Sequence, residues 1–221
     1  MDKQFHQLAP RIALKLMPEE FQAFFIADGY KESQISIDAD LPDMVDHDNI
    51  TINAEIHHAH SYKLEKLENG TYHWLDGDAL ERLKGLCADV HDFYAEGRFD
   101  MVRYCLAKMT HYRIDSMTYP HNHRGKPWST YHTKFEDELG AFIIHNQNKI
   151  GELIFQPYAD IYKGARQTAL TAWEEGLVIV EQLEKGIPMT EEQKLHICRT
   201  CIKGIGDLWT TLWNEINRKK V

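Results

Sequence analysis

Two pairs of potential metal ligands with helical spacing lie close together in the middle of this 221-residue chain. In the first pair Asp115 follows His111, in the second Glu136 follows His132, and His121 lies between the pairs. Residues four apart lie on one face of an α-helix, so both side chains of a pair can reach a single cation. The pattern therefore predicts two helices whose ligand-bearing faces meet at a metal site.

The ligand types indicate zinc or a similar cation. Imidazole with carboxylate suits such ions, whereas structural zinc sites are usually rich in cysteine thiolates. Cys198 and Cys201 form a Cys-x2-Cys pair, but the chain has no second one, so we predict a helix with a buried thiol there. One His/Asp pair alone would more often be an ordinary surface or core feature. Two pairs within 26 residues favour a functional site.

The composition predicts a single domain over residues 1–221, because 43% hydrophobic residues suffice for one sizeable core. Acidic residues outnumber basic ones, 34 to 25, and the net charge of −9 disfavours a surface that tracks nucleic-acid phosphates. We therefore expect no stable nucleic-acid partner. No stretch reaches the roughly 20 apolar residues of a transmembrane helix. Charged residues interrupt the N-terminal segment, so no signal peptide is evident, and we expect a protein that is either cytoplasmic or already stripped of a leader.

Apolar residues recur at helical spacing through most of the chain and predict an all-α fold. Gly97 is expected to end one helix, and Thr190 with Gln193 is expected to cap the start of the last one. We expect His121 in a loop over 117–129, which contains Pro120. The stretch 33–53 is expected to be extended or looping, without a persistent strand pattern. The predicted helices span about 3–17, 18–27, 80–97, 99–115, 131–143, 157–185 and 190–218.

The ligand spacing, His-x3-Asp-x5-His followed by His-x3-Glu, resembles that of the zinc-dependent phospholipase C family, which shares its fold with fungal single-strand nucleases. The segment 110–121, THYRIDSMTYPH, and the segment 131–139, YHTKFEDEL, are similar to the ligand-bearing segments of that family. Upstream, His6, the LPD of residues 41–43, and the HSY and NGTYHW of residues 60–74 resemble further family segments. The resemblance implies a single-domain, multi-helix fold of the phospholipase C and zinc-nuclease type.

The resemblance also implies a ligand set for two or three zinc ions, with no other cofactor. Asp43 would act both as a ligand and as the catalytic general base. One ion would be held by Asp43, His60, His111 and Asp115, another by His121, His132 and Glu136, and a third near His6 with Asp115 as a bridge.

Two ligand assignments keep alternatives. His57, His58 and His60 are alternatives for the same histidine ligand, and the family-like residues that follow His60 in the sequence favour His60. Asp40 competes with Asp43, and the proline before Asp43 favours the latter. Family enzymes also use an N-terminal tryptophan at the third ion, whereas this chain begins with Met1, so either Met1 supplies that amine or the third site is weak.

The implied function is hydrolysis of a phosphoester by metal-activated water, with a phospholipid head group or a small phosphoester as substrate. The alternatives are a zinc-dependent nuclease or 3′-nucleotidase, and a metal-binding helical protein without catalysis. Members of the family are often secreted.

Overall fold

Helices account for most of the chain that the computed structural model describes, namely residues 4–47, 63–66, 68–69, 72–76, 79–122 and 126–218. The all-α class is therefore confirmed. No helix in these ranges is long and apolar enough to cross a membrane. The helices are α1 (Gln4–Leu16), α2 (Glu19–Phe25), α3 (Glu32–His47), α4 (Ala79–Ala95), α5 (Phe99–Asp115), α6 (Tyr119–Asn122), α7 (Lys126–Ile150), α8 (Ile161–Glu184) and α9 (Glu191–Arg218).

Several predicted boundaries agree closely with the structure. The helix predicted over 99–115 is α5, and Gly97, with φ +73°, follows the end of α4. The capped start of α9 is also present. The Thr190 Oγ1 accepts from the Gln193 backbone N–H at 3.2 Å, and the Gln193 side chain accepts from the Thr190 N–H at 2.9 Å. This reciprocal pair satisfies two backbone donors that the first turn of a helix leaves open.

The prediction of an extended stretch over 33–53 was wrong for its first part, because Glu32–His47 forms α3. Ile35 and Ala39 are fully buried on this helix, but Asp38 and Asp40 are buried beside them. Asp38 accepts hydrogen bonds from the Tyr30 hydroxyl at 2.6 Å and from Gln34 at 2.8 Å. Carboxylates on the core-facing side of α3 conceal its apolar period, which explains the error.

A short antiparallel hairpin is the second difference from the sequence analysis, which expected no persistent strands. Strand β1 (Lys63–Lys66) pairs with β2 (Tyr72–Asp76), with Leu64 opposite Trp74. The sequence Asn69-Gly70 between the strands is typical of a hairpin turn.

Helix α5 lies at the centre of the helical packing and contacts α1, α3, α4 and α9. From α9, Trp209 is fully buried and donates its indole N–H to the Leu106 carbonyl at 2.9 Å. The Trp209 ring also packs against Phe21 and Phe25 of α2, with centroid distances of 5.6 and 5.2 Å. Burying each of these large side chains contributes about 1.5–3 kcal/mol. Trp209, Phe21 and Phe25 therefore hold α2 and α9 together against the central helix α5.

The connection between α5 and α6 is held closely by the C-terminal helices. Arg113 is buried and donates to the Gly204 carbonyl of α9, to Thr168 of α8 at 3.0 Å, and to the Tyr158 hydroxyl. A Cβ on Gly204 would overlap the Met117 side chain, and a Cβ on Gly176 would lie 2.8 Å from that of Tyr119. Gly176 therefore permits a close approach that a larger residue would prevent, whereas a larger residue at Gly204 would require the end of the Met117 side chain to move.

We predict that Gly176→Ala destabilises the protein by about 1–3 kcal/mol, because the added methyl would lie 2.8 Å from the Tyr119 Cβ, which moves only with its backbone. Urea denaturation measures the change. The matched control is Gly85→Ala on the exposed side of α4, where an added Cβ meets nothing within 4 Å. That change is expected to stabilise by about 0.5–1 kcal/mol, since alanine favours a helix more than glycine. Equal effects at the two positions would contradict the close-packing argument.

Candidate metal centre

Six of the eight residues that the sequence marks as ligands lie together in the structure, on four different helices. All are buried except His132, which is partly exposed. We call these six residues the candidate metal centre: His6 from α1, His111 and Asp115 from α5, His121 from α6, and His132 and Glu136 from α7.

The first group consists of His6, His111 and Asp115. The two Asp115 carboxylate oxygens face different imidazoles, with Oδ1 lying 3.5 Å from His6 Nε2 and Oδ2 lying 3.5 Å from His111 Nε2. The two imidazole rings are stacked, with centroids 4.2 Å apart. Asp115 has no solvent exposure, so its charge depends on these polar neighbours.

The second group consists of His121, His132 and Glu136. The Glu136 Oε1 atom lies 2.9 Å from His132 Nε2 and 3.2 Å from His121 Nε2, and the two Nε2 atoms are 3.1 Å apart. His132 and Glu136 occupy successive turns of α7, as their spacing predicted. His121 approaches from α6, a single helical turn with Pro120 near its start, where the sequence analysis had expected a loop.

The two groups form one continuous cluster. Asp115 Oδ1 lies 3.4 Å from His121 Nε2, and Glu136 Oε1 lies 3.5 Å from His6 Nε2. Each carboxylate therefore contacts imidazoles of both groups. Such sharing is the arrangement expected of ligands that surround neighbouring cations.

The spacing within the cluster fits a zinc-sized ion. Two ligand bonds of about 2.0–2.1 Å at a tetrahedral angle place their donor atoms about 3.3 Å apart. Six of the seven contacts described above between ligand atoms of the cluster measure between 3.1 and 3.5 Å. In each group, the three ligand atoms all lie within 4.8 Å of one another. The residues present can therefore hold divalent cations.

The protonation states also suit metal binding, which requires ionised carboxylates and neutral imidazoles. Burial alone would raise the pKa of Glu136, but hydrogen bonds from His121 and His132 hold that pKa well below its usual range. Burial lowers the pKa of His121, against the opposing charges of Asp115 and Glu136. Glu136 is therefore ionised and His121 neutral near pH 7.

A backbone carbonyl orients His111. The Nδ1 atom lies 2.9 Å from the Ala39 carbonyl of α3, which can only accept, so Nδ1 carries the proton, and in the neutral imidazole Nε2 keeps a lone pair that can bind a metal. This contact joins residues 72 positions apart and was not predicted from the sequence. No sequence pattern marks the Ala39 carbonyl, because the ladder hydrogen bond that Pro42 removes is the one to Asp38, four residues before it.

The remaining predicted ligands are placed only in part. Asp43 lies on α3, one turn beyond Ala39, but its side chain is outside the described part of the structure. The histidines at 57, 58 and 60 also lie outside the described residues. Asp40, the alternative to Asp43, is buried on α3, lies 3.5 Å from the Gln7 side-chain nitrogen and belongs to neither group.

A scan against models of protein families found no match for this chain, and neither did searches of curated proteins and of solved structures. The resemblance to the zinc-dependent phospholipase C family therefore stays a prediction from the sequence motifs. What the structure adds is the placement of the residues that carry that resemblance.

We predict that Glu136→Gln lowers the affinity for zinc by about 100-fold or more, because it removes a buried charge that three imidazoles surround. Calorimetric titration of metal-free protein, with elemental analysis of the loaded protein, measures the loss. The matched control is Glu138→Gln, two residues further on α7, whose carboxylate pairs with Lys194 at 3.0 Å. An unchanged zinc content in Glu136→Gln would contradict this ligand assignment.

We also predict that acid destabilises the metal-free protein partly through His121. Its folded-state pKa is depressed by burial, so below about pH 6.5 the unfolded chain binds a proton that the folded chain does not. Stability is therefore lost as the pH falls through this window, by at most about 1.4 kcal/mol per pH unit. Denaturation of His121→Gln should show a shallower pH slope than wild type. His145→Gln, an exposed change on α7, should keep the wild-type slope, and identical slopes in all three proteins would contradict the prediction.

Proposed function

We propose that this protein is a zinc-dependent phosphoric ester hydrolase of the phospholipase C type. The observation that carries the proposal is the convergence of four imidazoles and two carboxylates on one buried cluster. The sequence motifs that resemble the phospholipase C family contain these same residues. The geometry and the resemblance are separate arguments, and both support the same chemistry.

The two neighbouring groups support a proposal of at least two cations. Asp115 and Glu136 each contact imidazoles of both groups, so either carboxylate could help to hold a cation in each group. His6 contacts both carboxylates, which supports a third position next to α1. We therefore propose two or three zinc ions.

Zinc ions bound there would act as Lewis acids toward a phosphate oxygen and would lower the pKa of a water from 15.7 toward about 7. The chain itself supplies the surroundings for this chemistry. Burial excludes bulk water from Asp115 and Glu136, which strengthens their attraction for cations. The Ala39 carbonyl fixes the orientation of His111 before any ion binds.

Asp43 is the proposed general base. Its position on α3, one turn after the Ala39 carbonyl that His111 contacts, brings its backbone near the candidate metal centre. A carboxylate there would accept a proton from the attacking water. For the substrate we propose a phospholipid head group or a small phosphoester, since the net charge of −9 does not favour a long nucleic acid.

We predict that the zinc-loaded protein hydrolyses a phosphocholine ester and loses this activity in a chelator. His132→Gln should reduce kcat/KM by about 100-fold or more, because a ligand of the second group is lost while its partly exposed position limits the effect on folding. The matched control is His145→Gln on the same helix. Thermal unfolding of each variant confirms that it is folded.

The same preparation should be tested with single-stranded DNA and a 3′-nucleotide. If the protein hydrolyses only single-stranded DNA or the 3′-nucleotide, the phospholipase hypothesis is replaced by that of a zinc nuclease or nucleotidase. Zinc binding without hydrolysis of any phosphoester would leave only a metal-binding helical protein. Hydrolysis that persists in both the chelator and His132→Gln would contradict the proposal altogether.

A further inference from the structure

A groove lies between α8 and α9, next to α6 and α7, the helices that contribute His121, His132 and Glu136. Its volume is about 310 Å³, within the range of small-molecule pockets. Tyr119 and Phe135 line its inner side, and these residues come two positions before His121 and one before Glu136. None of the six residues of the candidate metal centre lines the groove in the part of the chain that the structure describes. The groove is therefore separate from the candidate metal centre, although the same two helices, α6 and α7, contribute residues to both.

The inner surface of the groove is apolar. Met117, Tyr119 and Phe135 are all buried and contribute the inner side, while Ala172 and Gly176 of α8 and Ile197 of α9 contribute the flanks. The small residues on α8 leave the space open. An apolar group of suitable size that enters the groove would gain free energy by leaving water.

The outer edge of the groove carries a charged group of one sign. The Glu175 carboxylate of α8 lies 3.2 Å from His196 Nε2 of α9, and both side chains are about half exposed, at 47% and 58%. Gln193 already bonds the Thr190 N–H and the Gln182 side chain. No lysine or arginine is among the described lining residues. When His196 is neutral, Glu175 is therefore the one charged side chain among the described lining residues, and such an edge is suited to a cation.

We propose that this groove binds a primary alkylammonium ion, with its aliphatic chain on the apolar inner surface and its ammonium group on the Glu175 carboxylate. The volume corresponds to about ten water molecules at ~30 Å³ each, which suits a short chain rather than a long acyl group. The ammonium can donate a charge-assisted hydrogen bond to Glu175 beside the His196 contact. This binding site does not depend on the proposed hydrolase activity.

Calorimetric titration of the full-length protein with butyl-, pentyl-, hexyl- and heptylammonium tests the apolar part. Affinity should rise about fourfold per added methylene, equivalent to ~0.8 kcal/mol each. Ala172→Leu, which fills the groove from α8, should weaken binding of the whole series. An affinity that does not depend on chain length would overturn the proposal.

The charged part is tested with hexan-1-ol and hexanoate, which have similar chains and different head groups. Hexylammonium should bind about tenfold more tightly than hexan-1-ol, and hexanoate should bind least. Glu175→Gln should abolish the preference for the ammonium, whereas Glu184→Gln, the same change on α8 outside the groove lining, should retain it. Equal binding of the alcohol and the ammonium by wild type, or a preference that survives Glu175→Gln, would overturn the assignment of the ligand class.

Discussion

The burial of two carboxylates among four imidazoles is the constraint on which the rest of this structure depends. Asp115 has no solvent exposure and Glu136 only 7%, and a buried carboxylate is strongly unfavourable unless polar or charged partners surround it. Those partners come from α1, α5, α6 and α7, so these four helices must meet at one place. The fold must therefore bring these residues together to compensate the buried carboxylates, and the resulting cluster also suits cations.

The sequence predicted the local parts of the candidate metal centre better than its surroundings. His111 with Asp115 and His132 with Glu136 have helical spacing, and both pairs lie on helices. It did not predict α3, because Asp38 and Asp40 interrupt the apolar face that normally reveals a helix. Contacts between distant residues, such as that of His111 with the Ala39 carbonyl, leave no periodic signal in the chain.

The C-terminal helices constrain the ligand-bearing segment without supplying any of the six residues. Gly176 allows α8 to approach Tyr119, and Arg113 bonds to both α8 and α9 from its position between two ligands. These contacts limit how far the connection between α5 and α6 can move. A small side chain in a long helix has no distinctive pattern, so only the structure reveals this role.

The separation of His6 from Glu136 along the chain has a consequence for biosynthesis. These residues are 130 positions apart, yet their side chains lie 3.5 Å from each other. Contacts of such long range form late, because the intervening chain must first be closed into a loop. A polypeptide still emerging from the ribosome cannot complete the cluster until Glu136 of α7 has been translated, so a cation that needs all six residues could be bound only after that point.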